Sequence, residues 1–317
     1  MEEKSRVLVV GGTGYIGRRI VKASLEQGHP TYILQRPEIG LDIDKLQILL
    51  SFKKQGAILV QGSFSDIQSL VDAVKLVDVV ICTISGVHFR SHNILLQLRL
   101  VEAIKAAGNV KRFLPSEFGM DPARMQHAME PGRVSFDEKM EVRKAIEEAN
   151  IPFTCVSANC FAGYFAGNLC QMGRLTPPTD KVFIYGDGNV KAIFVDEEDV
   201  GTYTIKTMDD PRTLNKTVYL MPPENILTQR QLVETWENLA GKKLEKVMVP
   251  QEDFLAPMKV GMNYAEQVGV GHFFHIFYDG CLTNFKVGGE EDDALEASKL
   301  YPEVRYTRMH EYLKPYA

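Results

Sequence analysis

The 317-residue sequence predicts an α/β protein, a doubly wound parallel sheet carrying a second, smaller and discontinuous domain. Three observations predict it. Through the first half, apolar runs of strand length alternate with amphipathic segments of helix length. The first run, Arg6-Val-Leu-Val-Val10, passes at once into Gly11-Gly-Thr-Gly-Tyr-Ile-Gly17. Beyond about residue 158 the rhythm breaks, with Gly and Pro at Pro177-Pro178, Gly186-Asp-Gly188 and Pro222-Pro223.

Taken in order, the expected strands are 6–10, 31–34, 57–60, 77–83, 112–115 and 153–157. These runs lack strict apolar–polar alternation, which suits strands covered on both faces by helices. The helices between them are expected at 16–27, 42–55, 67–74, 93–107 and 137–149. Later, short strands are expected at 191–194 and 218–220 and a helix at 228–240, where Thr228 and Gln231 have the spacing of a capping box. The expected division is a cofactor domain over 1–157, rejoined by some strands from about 190–227, and a substrate domain over 158–317.

A net charge of −5 excludes a general nucleic-acid binder, because no basic excess exists to neutralise a phosphate chain. Five cysteines, odd in number and without a CxxC pair, suit a reducing compartment. No run approaches the ~20 apolar residues of a membrane span. The charged start Met1-Glu-Glu-Lys-Ser5 does not read as a signal peptide, so the cytoplasm is the expected location.

Gly12, Gly14 and Gly17 satisfy G-x-G-x-x-G, and Gly11, Gly14 and Gly17 satisfy G-x-x-G-x-x-G. Either pattern between a strand and a helix describes a dinucleotide pyrophosphate site of Rossmann type. Thr13, Tyr15 and Ile16 complete the loop, and the helix N-terminus supplies amides and a positive dipole end. The second strand ends in Gln35-Arg36, where an NAD site would carry a carboxylate. A guanidinium there accommodates a 2′-phosphate, with Lys45 on the following helix as a second cation, so NADPH is the expected cofactor. Ser85 and Gly86 after the fourth strand, Ser116 and Glu117 after the fifth, and Asn159 and Phe161 after the sixth should border the nicotinamide by the carboxyl-end rule.

The tyrosine–lysine pair of short-chain dehydrogenases is missing, since Ser135 stands four residues before Lys139. Lys139 instead shares an apolar stripe with Val142, Ile146 and Ala149, while Met140, Arg143 and Glu147 fall on another face. That places the amine toward protein beside the expected crevice. Partial burial there would bring it into proton-transfer range of a phenol.

Val9-Val-Gly-Gly-Thr-Gly-Tyr-Ile-Gly17, Leu34-Gln-Arg-Pro37, Phe113-Leu-Pro-Ser-Glu-Phe-Gly-Met120, Lys139 and Ser157-Ala-Asn-Cys-Phe-Ala-Gly-Tyr-Phe165 resemble the plant NADPH-dependent reductases. That group comprises pinoresinol–lariciresinol, phenylcoumaran benzylic ether and isoflavone reductases, an NmrA-type branch of the short-chain dehydrogenases. The stretches 85–92 and 269–284 look most like the pinoresinol–lariciresinol members. The resemblance implies reductive opening of a benzylic ether in a furofuran lignan, with Lys139 taking the para-phenol proton and NADPH giving hydride. It also implies a homodimer. Met120, Tyr164, Phe165, Gly269, His272 and Phe273 become candidate substrate contacts, with His275 structural. His272 and His275 show no carboxylate or cysteine at a metal-ligand spacing, so no metal is expected. The alternatives are a sister reductase of phenylcoumarans or isoflavones, and an NADP-sensing regulator without chemistry.

Arg36→Ala is expected to raise the Michaelis constant for NADPH about tenfold or more, the value of a lost charge-assisted contact, and to leave that for NADH unchanged. Initial rates with each cofactor measure it.

Overall fold

The computed structural model describes residues 4–85, 94–288 and 293–317. Its first elements follow the expected alternation: β1 (Val7–Val10), α1 (Gly17–Glu26), β2 (Thr31–Gln35), α2 (Ile43–Lys54), β3 (Ile58–Gln61) and α3 (Ile67–Val74). Then come β4 (Val79–Cys82), α4 (Gln97–Ala107), β5 (Arg112–Leu114), α5 (Val134–Glu148) and β6 (Thr154–Ser157). The central sheet has the order β3-β2-β1-β4-β5, all parallel, with Val10 level with Leu34 and Cys82. All four residues of β1 are at most 2% exposed, which explains why the run shows no alternation. β6 continues the sheet through a parallel bridge between Phe113 and Phe153.

Helix ends follow their side chains. Asp42 caps α2 through the Lys45 amide, Asp66 caps α3, and α4 stops at Gly108 in the left-handed region. Several boundaries differ from expectation, the largest being α4, which begins four residues late at Gln97. Two others have a visible cause. β4 begins at Val79, because Asp78 is drawn into a clamp with Arg6, whose amide and guanidinium both donate to its carboxylate at 3.0 Å. α5 begins at Val134, three residues early, because the buried Phe136 extends its apolar stripe by a turn.

The later elements are β7 (Cys160–Phe161), α6 (Ala162–Phe165), β8 (Lys181–Tyr185), β9 (Lys191–Val195), α7 (Glu197–Met208), β10 (Lys216–Tyr219) and β11 (Ile226–Thr228). They are followed by α8 (Gln229–Ala240), β12 (Glu245–Val249), α9 (Gln251–Leu255) and α10 (Tyr264–Phe277). β10 lies beside β6, and β9 pairs with β7 and β11 in a separate sheet. Thr228 and Gln231 form the full capping box at the start of α8. Among the described residues no helix is long and apolar enough to cross a membrane.

The chain divides into two compact units. The first comprises Met1–Glu117, Asp137–Val156 and Val200–Val218; the second comprises Phe118–Phe136, Ser157–Asp199 and Tyr219–Ala317. In the first unit the buried Arg112 holds the 200–218 segment, donating to the Thr154 and Thr213 hydroxyls at 2.7 and 2.9 Å and to the Thr207 carbonyl at 3.4 Å. The second unit is built around aromatic rings: Tyr185 packs on Phe254, Phe277 and Phe273 at centroid distances of 5.0, 5.5 and 6.0 Å.

Asp199, in the second unit, accepts the Thr307 amide at 2.7 Å. Burial pushes its carboxyl up to about 7, helped by the neighbouring Asp196 and Glu198 charges. A carboxyl whose pKa is raised by folding favours the fold below its unfolded value near ~3.9 and loses that contribution as pH rises through about 7. Asp199→Asn, which keeps the acceptor, is therefore expected to stabilise the protein by roughly 1–3 kcal/mol at pH 8 and to match the parent near pH 4. Denaturant melts at the two pH values measure the difference.

Candidate active site

The loop between β1 and α1 shows why glycine stands at each position. Gly11 has φ +85°, and a Cβ there would lie 2.8 Å from Thr83 Oγ1. At Gly17 a side chain would overlap the Gly11 carbonyl oxygen, so α1 can approach the strand only without one. Gly12 packs where a Cβ would meet Ile33 Cγ2 at 2.9 Å. The Gly14 amide closes the turn on the Gly11 carbonyl at 2.8 Å. The Thr83 hydroxyl donates to the Val10 carbonyl at 2.8 Å, tying the ends of β4 and β1 together.

Thr13 and Tyr15 are half-buried, and Ile16 is buried as the residue before α1. Arg19 donates to the Tyr15 carbonyl at 2.6 Å, and its guanidinium lies 4.3 Å from the centre of the Tyr15 ring. Arg18 stands 5.8 Å from the same ring. Sequence reasoning passed over these two cations, although Gly17-Arg-Arg19 opens the helix whose amides face the phosphate site. The glycine cradle and the cations beside it suit a pyrophosphate.

At the end of β2, Gln35 is half-buried and Arg36 is exposed. The Arg36 guanidinium makes no hydrogen bond or ion pair among the described residues. Lys45 does: its amine pairs with Asp42 at 2.6 Å, a contact that holds the Asp42 carboxyl below its ordinary range. Lys45 is thus partly neutralised, and the case for a 2′-phosphate rests mainly on Arg36. Ser85 is half-buried past the end of β4; Gly86, with His88, Phe89 and His92, lies outside the described residues.

The β5 loop and α5 form the reactive corner of the first unit. The Ser116 amide donates to Gln97 Oε1 at 2.7 Å and its hydroxyl to the Ile84 carbonyl at 2.6 Å, fixing this loop against β4's continuation. Lys139 is half-buried, as Val142 and Ile146 on its stripe are fully buried. Its Nζ donates to the backbone carbonyl of Glu117 at 2.9 Å. The Glu117 carboxylate, expected to face the cofactor, is instead taken by Arg143, with Nε–Oε1 at 2.7 Å and Nη2–Oε2 at 2.5 Å. Arg143, assigned to another face by periodicity, is a member of this corner. Its place at i+4 from Lys139 was visible, but its partner across the fold was not.

Within the second unit, Asn159 has φ +55° and its side-chain amide donates to the Leu220 carbonyl at 2.7 Å, so it holds the chain after β6. Phe161 stacks on the half-exposed Tyr164 at 6.3 Å. Phe165 and Phe273 stack at 5.1 Å and belong to the aromatic core. A Cβ on Gly269 would come within 3.3 Å of Met172 Cε. The His272 ring packs 5.3 Å from Phe136, while the Met120 sulfur meets Cys281 at 3.5 Å beside Asp121, Tyr219 and Phe285. Histidine 275 has a carboxylate partner that the sequence reading overlooked: Asp279, one helical turn on, bonds Nδ1 at 2.5 Å. The Met129 amide donates to Nε2 at 2.9 Å. His127 also comes near, but both His275 nitrogens are occupied, and the ring pins the 118–136 segment to α10.

Gly17→Ala is expected to leave a folded protein that no longer gains thermal stability from NADPH, because the displaced Gly11 carbonyl deforms the phosphate cradle. Melting curves with and without cofactor decide it.

The NmrA-like family matches residues 3–313 of the chain. An isoflavone reductase homolog of Lupinus albus is 76% identical over 313 residues, 99% of each chain. A bifunctional pinoresinol-lariciresinol reductase of Linum perenne is 71% identical over 310 residues, 98% of each chain. A solved structure described as AtPrR2 with NADP+ and (+)pinoresinol is 63% identical, with a TM-score of 0.96 over 100% of both chains. A glycine cradle, a clustered arginine pair and a half-buried lysine at the carboxyl edge of one parallel sheet thus agree with likeness over the whole chain: this protein belongs to the NmrA-like family.

Proposed function

We propose that this NADPH-dependent reductase opens the benzylic ether of a furofuran lignan, converting pinoresinol to lariciresinol. The observation that carries the reading is the Lys139 amine, half-buried on α5 and held on the Glu117 carbonyl at the carboxyl edge of the sheet. The relatives' names and the pinoresinol in the 63%-identical structure support the choice of substrate class.

The chemistry asks the protein for three things. A phenol titrates near ~10 and a lysine near ~10.4, so an amine that is neutral when substrate arrives can accept the para-phenol proton. Electron push from the phenolate expels the benzylic ether oxygen and leaves a quinone methide in the substrate. NADPH, when bound, supplies the hydride for that benzylic carbon. Lys139 holds the proton at Nζ, with the Glu117 carbonyl as one acceptor for the ammonium, and returns it to the phenolate that hydride addition regenerates. The expelled alkoxide takes its proton from solvent and becomes the product's hydroxyl. The glycine loop, Arg36 and the β4 and β5 ends hold and orient the cofactor. In this reading the lignan contacts of the second unit are Met120, Tyr164, Phe165, Gly269, His272 and Phe273, and the protein works as a homodimer in the cytoplasm.

The 76%-identical relative bears an isoflavone reductase name, which favours a second reading as a sister reductase. Racemic pinoresinol, dehydrodiconiferyl alcohol and an isoflavone, each supplied with NADPH, separate the two by product. Lys139→Ala is expected to bind NADPH with unchanged affinity and to lower pinoresinol turnover by about 10²–10⁴-fold, the usual worth of a general base. Calorimetric titration of cofactor and product chromatography measure both, and near-normal turnover would remove Lys139 from the mechanism.

A further inference from the structure

Lys139 and Arg143 stand one turn apart on α5, and the buried carboxylate of Glu117 lies within reach of that corner. Its side chain is 3% exposed and that of Arg143 12%, so neither charge is well served by water. The residue is divided between the two cations: the carboxylate accepts both Arg143 N–H groups and the backbone carbonyl accepts the lysine. We infer that Arg143 and Glu117 are positioning residues for the proton-accepting amine, Arg143 holding the carboxylate so that Glu117 meets Lys139 through its neutral carbonyl. This inference rests on the proposed base role of Lys139.

The physical reason is a competition for one anion. A fork of two parallel N–H donors fits a carboxylate better than an ammonium does. Were Arg143 absent, the buried carboxylate would be free to turn to the Lys139 ammonium, already held on the same residue's carbonyl, and stabilise its charged form. The lysine would then be a poorer proton acceptor at neutral pH. Were the carboxylate absent, the uncompensated guanidinium one turn away would disfavour the ammonium and make the amine neutral at lower pH. The other charged residues near Lys139 on α5 are Asp137, Glu138, Glu141 and Lys144. Asp137, Glu141 and Lys144 are exposed, Glu138 is half-buried with its Oε2 shut off from water, and Lys144 pairs with Glu148 at 3.8 Å. The neighbouring Ser116 hydroxyl is engaged by Ile84.

The test is the pH profile of kcat with racemic pinoresinol and NADPH for the parent, Arg143→Met, Glu117→Gln and the double variant. Cofactor affinity and melting temperature are measured alongside. For Arg143→Met the acidic limb should move up by about one pH unit or more, with turnover recovering toward the parent's at high pH. For Glu117→Gln it should move down, and in the double variant it should return toward the parent's. Cofactor affinity should stay unchanged throughout. A purely structural pair would lower kcat at every pH without moving the limb, and that result, or shifts of the same sign, overturns the inference. If Arg143→Met does not fold, Glu117→Gln decides alone: an unmoved or raised limb overturns it. Loss of turnover in Lys139→Ala with unmoved limbs in these variants sinks this inference only, whereas full turnover in Lys139→Ala sinks the base role itself.

Discussion

The site depends on a contact that leaves no room for a side chain, where α1 meets the Gly11 carbonyl at Gly17. Because the helix comes that close to the strand, its first amides stand at the carboxyl edge of β1, beside Thr83 at the end of β4. Everything else in the first unit's site hangs from the same edge. The β5 loop is two strands away, about 10 Å in the direction across the sheet. That distance suits the span from a phosphate-binding turn to the reacting end of a dinucleotide. The sheet therefore acts as a ruler, and the loops at its edge carry the chemistry.

Two arginines in this unit, the buried Arg112 and the half-buried Arg143, are handled differently. Arg112 is surrounded by threonine hydroxyls and backbone carbonyls and fastens a distant segment of chain to the sheet. Arg143 is matched by a carboxylate and touches the loop that holds Lys139. A guanidinium keeps its charge in either setting, so the difference lies in what it does to its neighbours. Neutral acceptors leave the local field positive. A carboxylate cancels it where a lysine must exchange a proton.

Much of the first unit was legible because its signals are local. β1, the glycine turn and α1 lie within twenty residues, and four apolar positions on one strand suffice to show that it is covered on both faces. Lys139 was legible from its stripe, since Val142 and Ile146 are indeed core. The capping box at Thr228 was legible because both its halves lie within four residues. What escaped were partners far apart in the chain. Arg143 was set on another face although, four residues on from Lys139, it is that residue's neighbour on the helix surface. What the sequence hides is its partner Glu117, twenty-six residues away. The bond from Asn159 to Leu220 joins residues sixty-one apart and leaves no trace in either neighbourhood. Asp279 was legible, since a carboxylate four residues after His275 lies within reach of its ring. Lys45 was legible as a cation, but not as one already engaged by its own helix cap.

The chain passes repeatedly between its two compact units, and both α5 and α7 run unbroken through the points of passage. Such threading has an evolutionary consequence. Neither half can be exchanged by recombination at a single junction, because each is assembled from three separate stretches. A one-residue insertion near the start of α5 would also rotate every later residue by ~100°, carrying Lys139 away from the carbonyl that receives it. New specificities in proteins built this way are thus expected to arise by point substitution and by change in loops at the sheet's edge, while helix length stays frozen.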